Sequence, residues 1–146
     1  MPTAAKLAAA ILFGTLAWYV SDLVTMLFPD RADFGRFLQY NAVLGALVGW
    51  WVAGSRARTT WPNAVAYGVT SALSMMLLAL LLHSSTVMLS QSFHRVYEGP
   101  FEALLDVVRM MIDRFTLIAT PQIMSTLLVG GVLGGLATEW VARKYK

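Results

Sequence analysis

The chain has 146 residues, enough for one compact unit and too few for two ordinary soluble domains. It is 58% hydrophobic and only 13% charged, where a soluble domain carries roughly a quarter of its residues charged, and burying so much apolar surface in water would need a larger core than this length builds. The net charge of +3 is small and sits near the ends of apolar segments, which argues against a nucleic-acid partner, and the lack of cysteine excludes a disulfide framework, a thiolate metal site and a Cys nucleophile.

A bilayer solvates such a surface directly, so the expected class is an all-α, polytopic membrane helical bundle forming a single domain over residues 1–146. The first span covers residues 4–28, with Thr3 as its cap and Lys6 snorkelling to the surface. Lys6 and the apolar residues after it imitate a signal peptide. The apolar run, however, continues to Phe28, longer than a signal-peptide core, so an uncleaved helix is expected. Pro29-Asp30 then breaks it into a polar loop holding Asp30, Arg31, Asp33 and Arg36.

The second span, residues 35–54, is short in its strongly apolar part, 42–53. It reaches membrane thickness only by taking in Arg36, Gln39 and Asn41 at the outer interface, with Phe37 and Tyr40 as aromatic anchors. A re-entrant hairpin is the competing reading. Arg56 and Arg58 follow, and Pro62 suits the first turn of a third span, residues 62–89. One membrane thickness from Asn63 puts His83-Ser84-Ser85-Thr86 at the far headgroups.

Gly99-Pro100 opens an amphipathic helix over residues 101–118. Phe101, Leu104, Leu105, Val108, Ile112 and Phe115 share one face; Glu102, Asp106, Arg109 and Asp113 share another, with Arg109 spaced to pair with Asp106 and Asp113. It lacks the Lys/Arg-rich face of a helix seeking anionic lipid, which favours packing on protein over free lipid binding. Pro121 opens the last span, residues 121–142, closed by Arg143, Lys144 and Lys146.

Four crossings put Lys6, Arg56, Arg58, Arg143, Lys144 and Lys146 on one side, six of the eleven cations, and Arg31, Arg36, Arg95, Arg109 and Arg114 on the other. The positive-inside rule then makes the first side cytoplasmic, with both termini cytoplasmic and the amphipathic helix periplasmic. A bacterial inner membrane is the expected location.

The candidate functional residues are few. Gly45-x3-Gly49 and Gly130-Gly131-x2-Gly134-Gly135 are small-x3-small patterns that let helix backbones approach closely, expected between the second and fourth spans or against a partner. His83 and His94, eleven residues apart, are too far along a helix to chelate one ion together, so no metal site is expected. Ala79-x3-His83 also matches the short pattern by which antenna polypeptides hold bacteriochlorophyll, which keeps a pigment at His83 as a remote alternative. Asp22, Glu139 and Arg143 are ionisable groups near opposite interfaces, with Glu139 one turn from Arg143. Met75, Met76, Met88, Met110, Met111 and Met124 are scattered and read as packing residues. No nucleophile–base pair, phosphate-binding glycine loop or paired carboxylates emerges, so neither an enzyme nor a resident cofactor is expected; bound lipids or pigments stay open.

Several blocks, in order along the chain, carry a resemblance. They are Met1-Pro2-Thr3-Ala4-Ala5-Lys6-Leu7, Asp33-Phe34-Gly35, Asn41-Ala42 leading to Gly45-x3-Gly49-Trp50, and Tyr97-Glu98-Gly99-Pro100 with Glu102-Ala103. The closing block runs from Leu128-Val129-Gly130-Gly131 through Gly134-Gly135 to Glu139-Trp140 and Arg143. Together they resemble the TrgA family of alphaproteobacterial membrane proteins, named for tellurite resistance. The family name records a phenotype and implies no catalytic or ligand residues. The expected role is a non-catalytic accessory or scaffold subunit, held by its glycine faces and amphipathic helix against a larger respiratory or photosynthetic membrane complex. Its partners would be membrane lipids and other integral subunits. A tellurite- or oxyanion-resistance protein or small transporter is the alternative.

Overall fold

A computed structural model describes residues 3–27, 35–94 and 99–145, and among them every element is helical. Five α-helices follow in order: α1 (Ala4–Leu27), α2 (Phe37–Val48), α3 (Trp61–Ser92), α4 (Pro100–Ile118) and α5 (Pro121–Lys144). α2 runs on without a break into a π-helical turn, Gly49–Ala53, and a 3-10 turn, Gly54–Arg56. α1, α3 and α5 are each long and apolar enough to cross a membrane, which marks a membrane protein. Phe28, Pro29, the expected loop charges Asp30, Arg31 and Asp33, the pair Asp33-Phe34, Arg95, Tyr97-Glu98, Met1-Pro2 and Lys146 lie outside the described residues.

The helix starts follow local chemistry. Thr3 Oγ1 accepts the Lys6 N–H at 3.3 Å, and Thr120 Oγ1 accepts the Ile123 N–H at 3.3 Å, each satisfying a donor that has no partner inside its helix. Pro62, Pro100 and Pro121 all fall in the first turn of a helix, where a missing N–H costs nothing.

α1 is the central element. Its buried residues Ala5, Ala9, Phe13, Ala17 and Ser21 recur every four positions and form a single ridge. α2 meets that ridge at glycines. A Cβ on Gly45 would lie 2.5 Å from the Phe13 carbonyl oxygen, and one on Gly49 would run into the Ala9 carbonyl oxygen. Backbone is therefore packed directly on backbone, where Cα–H groups can face carbonyl oxygens. α5 lies along α1 as well, with Gly130 at Leu16 and Gly134 at Phe13, and it is antiparallel to it. α3 and α5 cross glycine to glycine: a Cβ on Gly68 would strike the Gly131 carbonyl oxygen, and one on Gly135 the Ala64 carbonyl oxygen.

This arrangement corrects the expected pairing of the two glycine-bearing spans. Gly45 and Gly49 do not pack on Gly130, Gly131, Gly134 or Gly135, because α1 stands between them and the fully buried Phe13 ring fills the gap. The π turn serves the same contact. In a regular α-helix Ala53 and Gly54 would rotate away from the face carrying Asn41, Gly45 and Val48. A wider turn carries them back, and Gly54 comes to rest beside Lys6 of α1.

α4 packs on α3, but not through the stripe its periodicity advertises. Its buried side runs through Val107, flanked by the part-buried Ala103, Met110, Met111, Arg114 and Ile118. Phe101, Leu104, Leu105, Val108, Ile112 and Phe115 are all exposed, so the helix has three faces: packed, polar and outward apolar. The expected Arg109 pairing is also absent. Among the described residues no ion pair joins Arg109 to Asp106 or Asp113; an exposed pair at that spacing gains little over hydration.

Gly135→Ala should lower stability by about 1–3 kcal/mol, because the obstructing atom is backbone. Gly130→Ala should cost clearly less, since it meets only the flexible end of Leu16, and Gly99→Ala should be neutral because nothing lies within 4 Å. Thermal unfolding followed by circular dichroism in mild detergent measures all three. Equal losses would mean that backbone contact does not govern the crossing.

Candidate functional site

Two polar arrangements stand out against the apolar bundle. The first is built on Glu139, which is 1% exposed near the C-terminal end of α5. Arg58, in the link before α3, has φ of 68°. That left-handed conformation costs a side-chain-bearing residue about 1–3 kcal/mol, and it turns two successive N–H groups towards one point. Both point at the carboxylate: the Arg58 N–H donates to Glu139 Oε2 at 2.8 Å and the Thr59 N–H to both oxygens at 3.1 Å. Arg143 Nε donates to Oε1 at 2.8 Å, while Nη2 of the same guanidinium donates to the Thr59 carbonyl oxygen at 2.7 Å. The guanidinium also lies 4.6 Å from the Trp61 ring centroid, a cation–π distance.

Glu139 is thus a structural latch joining α5 to the start of α3. Its pairing with Arg143 one turn on follows helical spacing; its anchorage in the backbone of Arg58 and Thr59, about eighty residues away, does not show in local sequence. Asp22 lies at the opposite end of the bundle, because α1 and α5 are antiparallel, so the two acids do not share a site.

The second arrangement is a cleft of about 230 Å3 between α1, α2, α3 and α4, also touched by Leu127 of α5. Its walls are mainly aliphatic. Asn41 and Ser21 lie on it, both buried, with Asn41 Nδ2 donating to Ser21 Oγ at 2.8 Å. Asn41 was expected at an outer interface; here it faces the ridge of α1 from within the bundle. His83 and Arg114 line the same cleft, and the His83 ring sits 4.6 Å from that of Phe37 at a tilt of 39°. Ala79 and His83, the halves of the antenna-like pattern, both line it too. The cleft's volume falls below the range of about 300–1,000 Å3 typical of pockets for drug-sized molecules.

The remaining candidates are placed simply. His94 follows the end of α3, its Nδ1 3.1 Å from the Ser90 carbonyl oxygen, and no group of three metal-ligating side chains gathers among the described residues. Met75 is buried in the core, and Met76 and Met124 pack against it. Ser21, Arg58, Thr59 and Arg114 were not singled out from sequence, since each matters only through a residue distant along the chain. Comparison of the chain with protein-family models, with curated proteins and with solved structures found no match.

Replacing Glu139 by Ala strands two inward-facing N–H groups and should cost about 1–3 kcal/mol. Arg143→Ala should cost about 1 kcal/mol or less, because its side chain is 47% exposed. A double-mutant cycle read by thermal unfolding tests the latch; strictly additive losses would show that the two side chains act separately.

Proposed function

We propose that this chain is a non-catalytic accessory protein of TrgA type in a bacterial inner membrane, acting by seating itself against a larger membrane assembly. The outward face of α4 carries this reading. Phe101, Leu104, Leu105, Val108, Ile112 and Phe115 form an exposed apolar stripe beside an edge bearing Glu102, Asp106 and Asp113 with one cation, Arg109, while a different face holds the helix to α3. An acidic edge is poorly suited to anionic lipid and well suited to a protein surface with cations at the membrane boundary. α2 offers a second outward row, Tyr40, Val43, Leu47 and Trp51. The glycine faces are occupied inside the bundle, so a partner meets these surfaces instead.

The proposed topology has four crossings, both termini cytoplasmic and α4 periplasmic. The helical run 37–56 supports the disputed crossing, since about 1.5 Å per residue brings its length near the roughly 30 Å of a hydrocarbon core. α3, with 32 residues, is longer than one crossing needs. Its surplus gives α4 a shelf at the membrane boundary. Respiratory and photosynthetic complexes are the partner classes such a protein would serve. Tellurite or oxyanion handling is the second reading, and Arg114 is the residue that favours it. It is weakened by the aliphatic walls around that residue, which give a hydrated ion no polar path.

The native chain has no cysteine, so single-cysteine variants report topology cleanly. Arg36→Cys should react with an impermeant maleimide from the periplasmic side and Ser55→Cys from the cytoplasmic side; labelling of both from one side would replace the crossing with a re-entrant hairpin. Mild detergent extraction should recover the protein with other integral subunits, and Leu104→Asp with Ile112→Asp should release it without loss of helicity. Recovery of the unaltered protein solely as a monomer would count against the accessory role.

A further inference from the structure

The cleft between α1, α2, α3 and α4 is lined by hydrogen-bonding groups that the bundle itself does not use. Interiors keep few voids larger than a water molecule, yet this one is about 230 Å3 and opens to the surface. Asn41 and Ser21 lie on its wall at 7% and 4% exposure, joined by the bond from Nδ2 to Oγ. Among the described residues, Asn41 Oδ1, its second amide N–H and the Ser21 O–H meet no partner. The His83 ring, further along the wall, lies against Phe37 and makes no hydrogen bond to a described residue. Buried polar groups are ordinarily satisfied within a protein, so a set left over along one cleft points to a ligand that completes it.

Charge and spacing set the class of that ligand. Arg114, the one charged residue among the described lining, is already engaged with a partner of its own, and no carboxylate joins it. An ion entering the cleft would lose its hydration with no free charge to offset the loss, so the ligand is neutral. Phe37 and Asn41 are four residues apart, about 6 Å along α2. With its centroid 4.6 Å from that of Phe37, the His83 ring therefore stands about one turn from the Ser21–Asn41 pair. The rest of the wall, including Met76, Ala79 and Leu80, is apolar. A ligand that satisfies both stations carries acceptors on two edges of an apolar frame. A quinone has that form, with two carbonyl oxygens on opposite edges of one flat ring. A hydrocarbon has no acceptor, and an alcohol or ester holds its oxygens together at one end.

We propose that the cleft binds the ring of a lipid-soluble quinone. One carbonyl accepts from the Ser21–Asn41 pair and the other from the His83 imidazole, while the tail leaves by the open side of the cleft. This site is separate from the outward faces of α4 and α2, and it stands whether or not those faces hold a partner.

The test is binding of a decyl-tailed benzoquinone to the purified full chain in non-ionic detergent, by equilibrium gel filtration read at the quinone's ultraviolet band. One quinone should bind per chain. Decylbenzene, with the same tail and a bare ring, should compete about tenfold more weakly or worse at equal micellar concentration, having lost both acceptors. Asn41→Leu and His83→Phe should each weaken binding about three- to tenfold, the loss of one station. Ala79→Leu should weaken it at least as much by filling the cleft while leaving the polar groups in place. Leu128→Ala, on the exposed side of α5, should change nothing. Circular dichroism and gel filtration confirm that each variant folds, and the three cleft variants lie on two helices and act by different means, so misfolding of one leaves the others decisive. Absence of saturable quinone binding would overturn the proposal. Decylbenzene competing as well as the quinone would make this a hydrocarbon site, and oleate outcompeting it would make it a site for an acid. Full binding in both Asn41→Leu and His83→Phe would overturn recognition of the ring, and full binding in Ala79→Leu would remove the cleft as the site.

Discussion

Backbone pressed on backbone is the constraint from which the rest of this bundle follows. Between helices in lipid there is no hydrophobic drive, since acyl chains are as apolar as leucine, so association relies on dispersion, weak hydrogen bonds and the removal of anything that holds helices apart. Two contacts of that kind occur here, and one side chain completes them. α2 meets α1 at Gly45 and Gly49, α5 meets α3 at Gly131 and Gly135, and Phe13 fills the one place where two glycine-bearing helices flank a third. A Cβ at Gly45, Gly49 or Gly135 would meet a backbone oxygen of the facing helix, so each pair would have to move apart.

The Glu139 latch solves a different problem. Small-residue packing fixes how closely helices approach but resists sliding along their axes only weakly, because a glycine stripe is smooth. A carboxylate held by two N–H groups and a guanidinium has one position, and it ties the start of α3 to the end of α5. The glycine crossing of the same two helices lies one to two turns away, at Ala64 and Gly68. Distance and register are therefore set by separate devices.

Much of this was legible in the sequence, and the misses have physical causes. Apolar run lengths place α1, α3 and α5, and proline and threonine mark where α3 and α5 begin. The glycine patterns announce close contact, yet a small-x3-small pattern does not name its partner, and α1 meets α2 with alanines, Phe13 and Gly14 rather than with a glycine pair. The amphipathic period of α4 is real, but burial follows a narrower stripe, through Ala103 and Val107, than hydrophobicity alone suggests. The cradle for Glu139 depends on the left-handed turn at Arg58, a residue type that gives no hint of that conformation. Ser21 and Asn41 become a pair only when α1 and α2 are antiparallel in this register.

The π turn at Gly49–Ala53 has one more consequence. A wide turn stores a residue: the helix before it and the helix after it are out of phase by about one position, about 100° of rotation. Loss of any single residue there would let the segment relax into unbroken α-helix. Everything beyond it would keep its phase, with Gly54 still beside Lys6; an unbroken α-helix at full length would instead swing Gly54 away and bring the link carrying Arg58 to α5 from the wrong side. This short stretch is where the chain's residue count and its three-dimensional phase are reconciled, and losing the wide turn without losing a residue would be felt at the far end of the molecule's sequence.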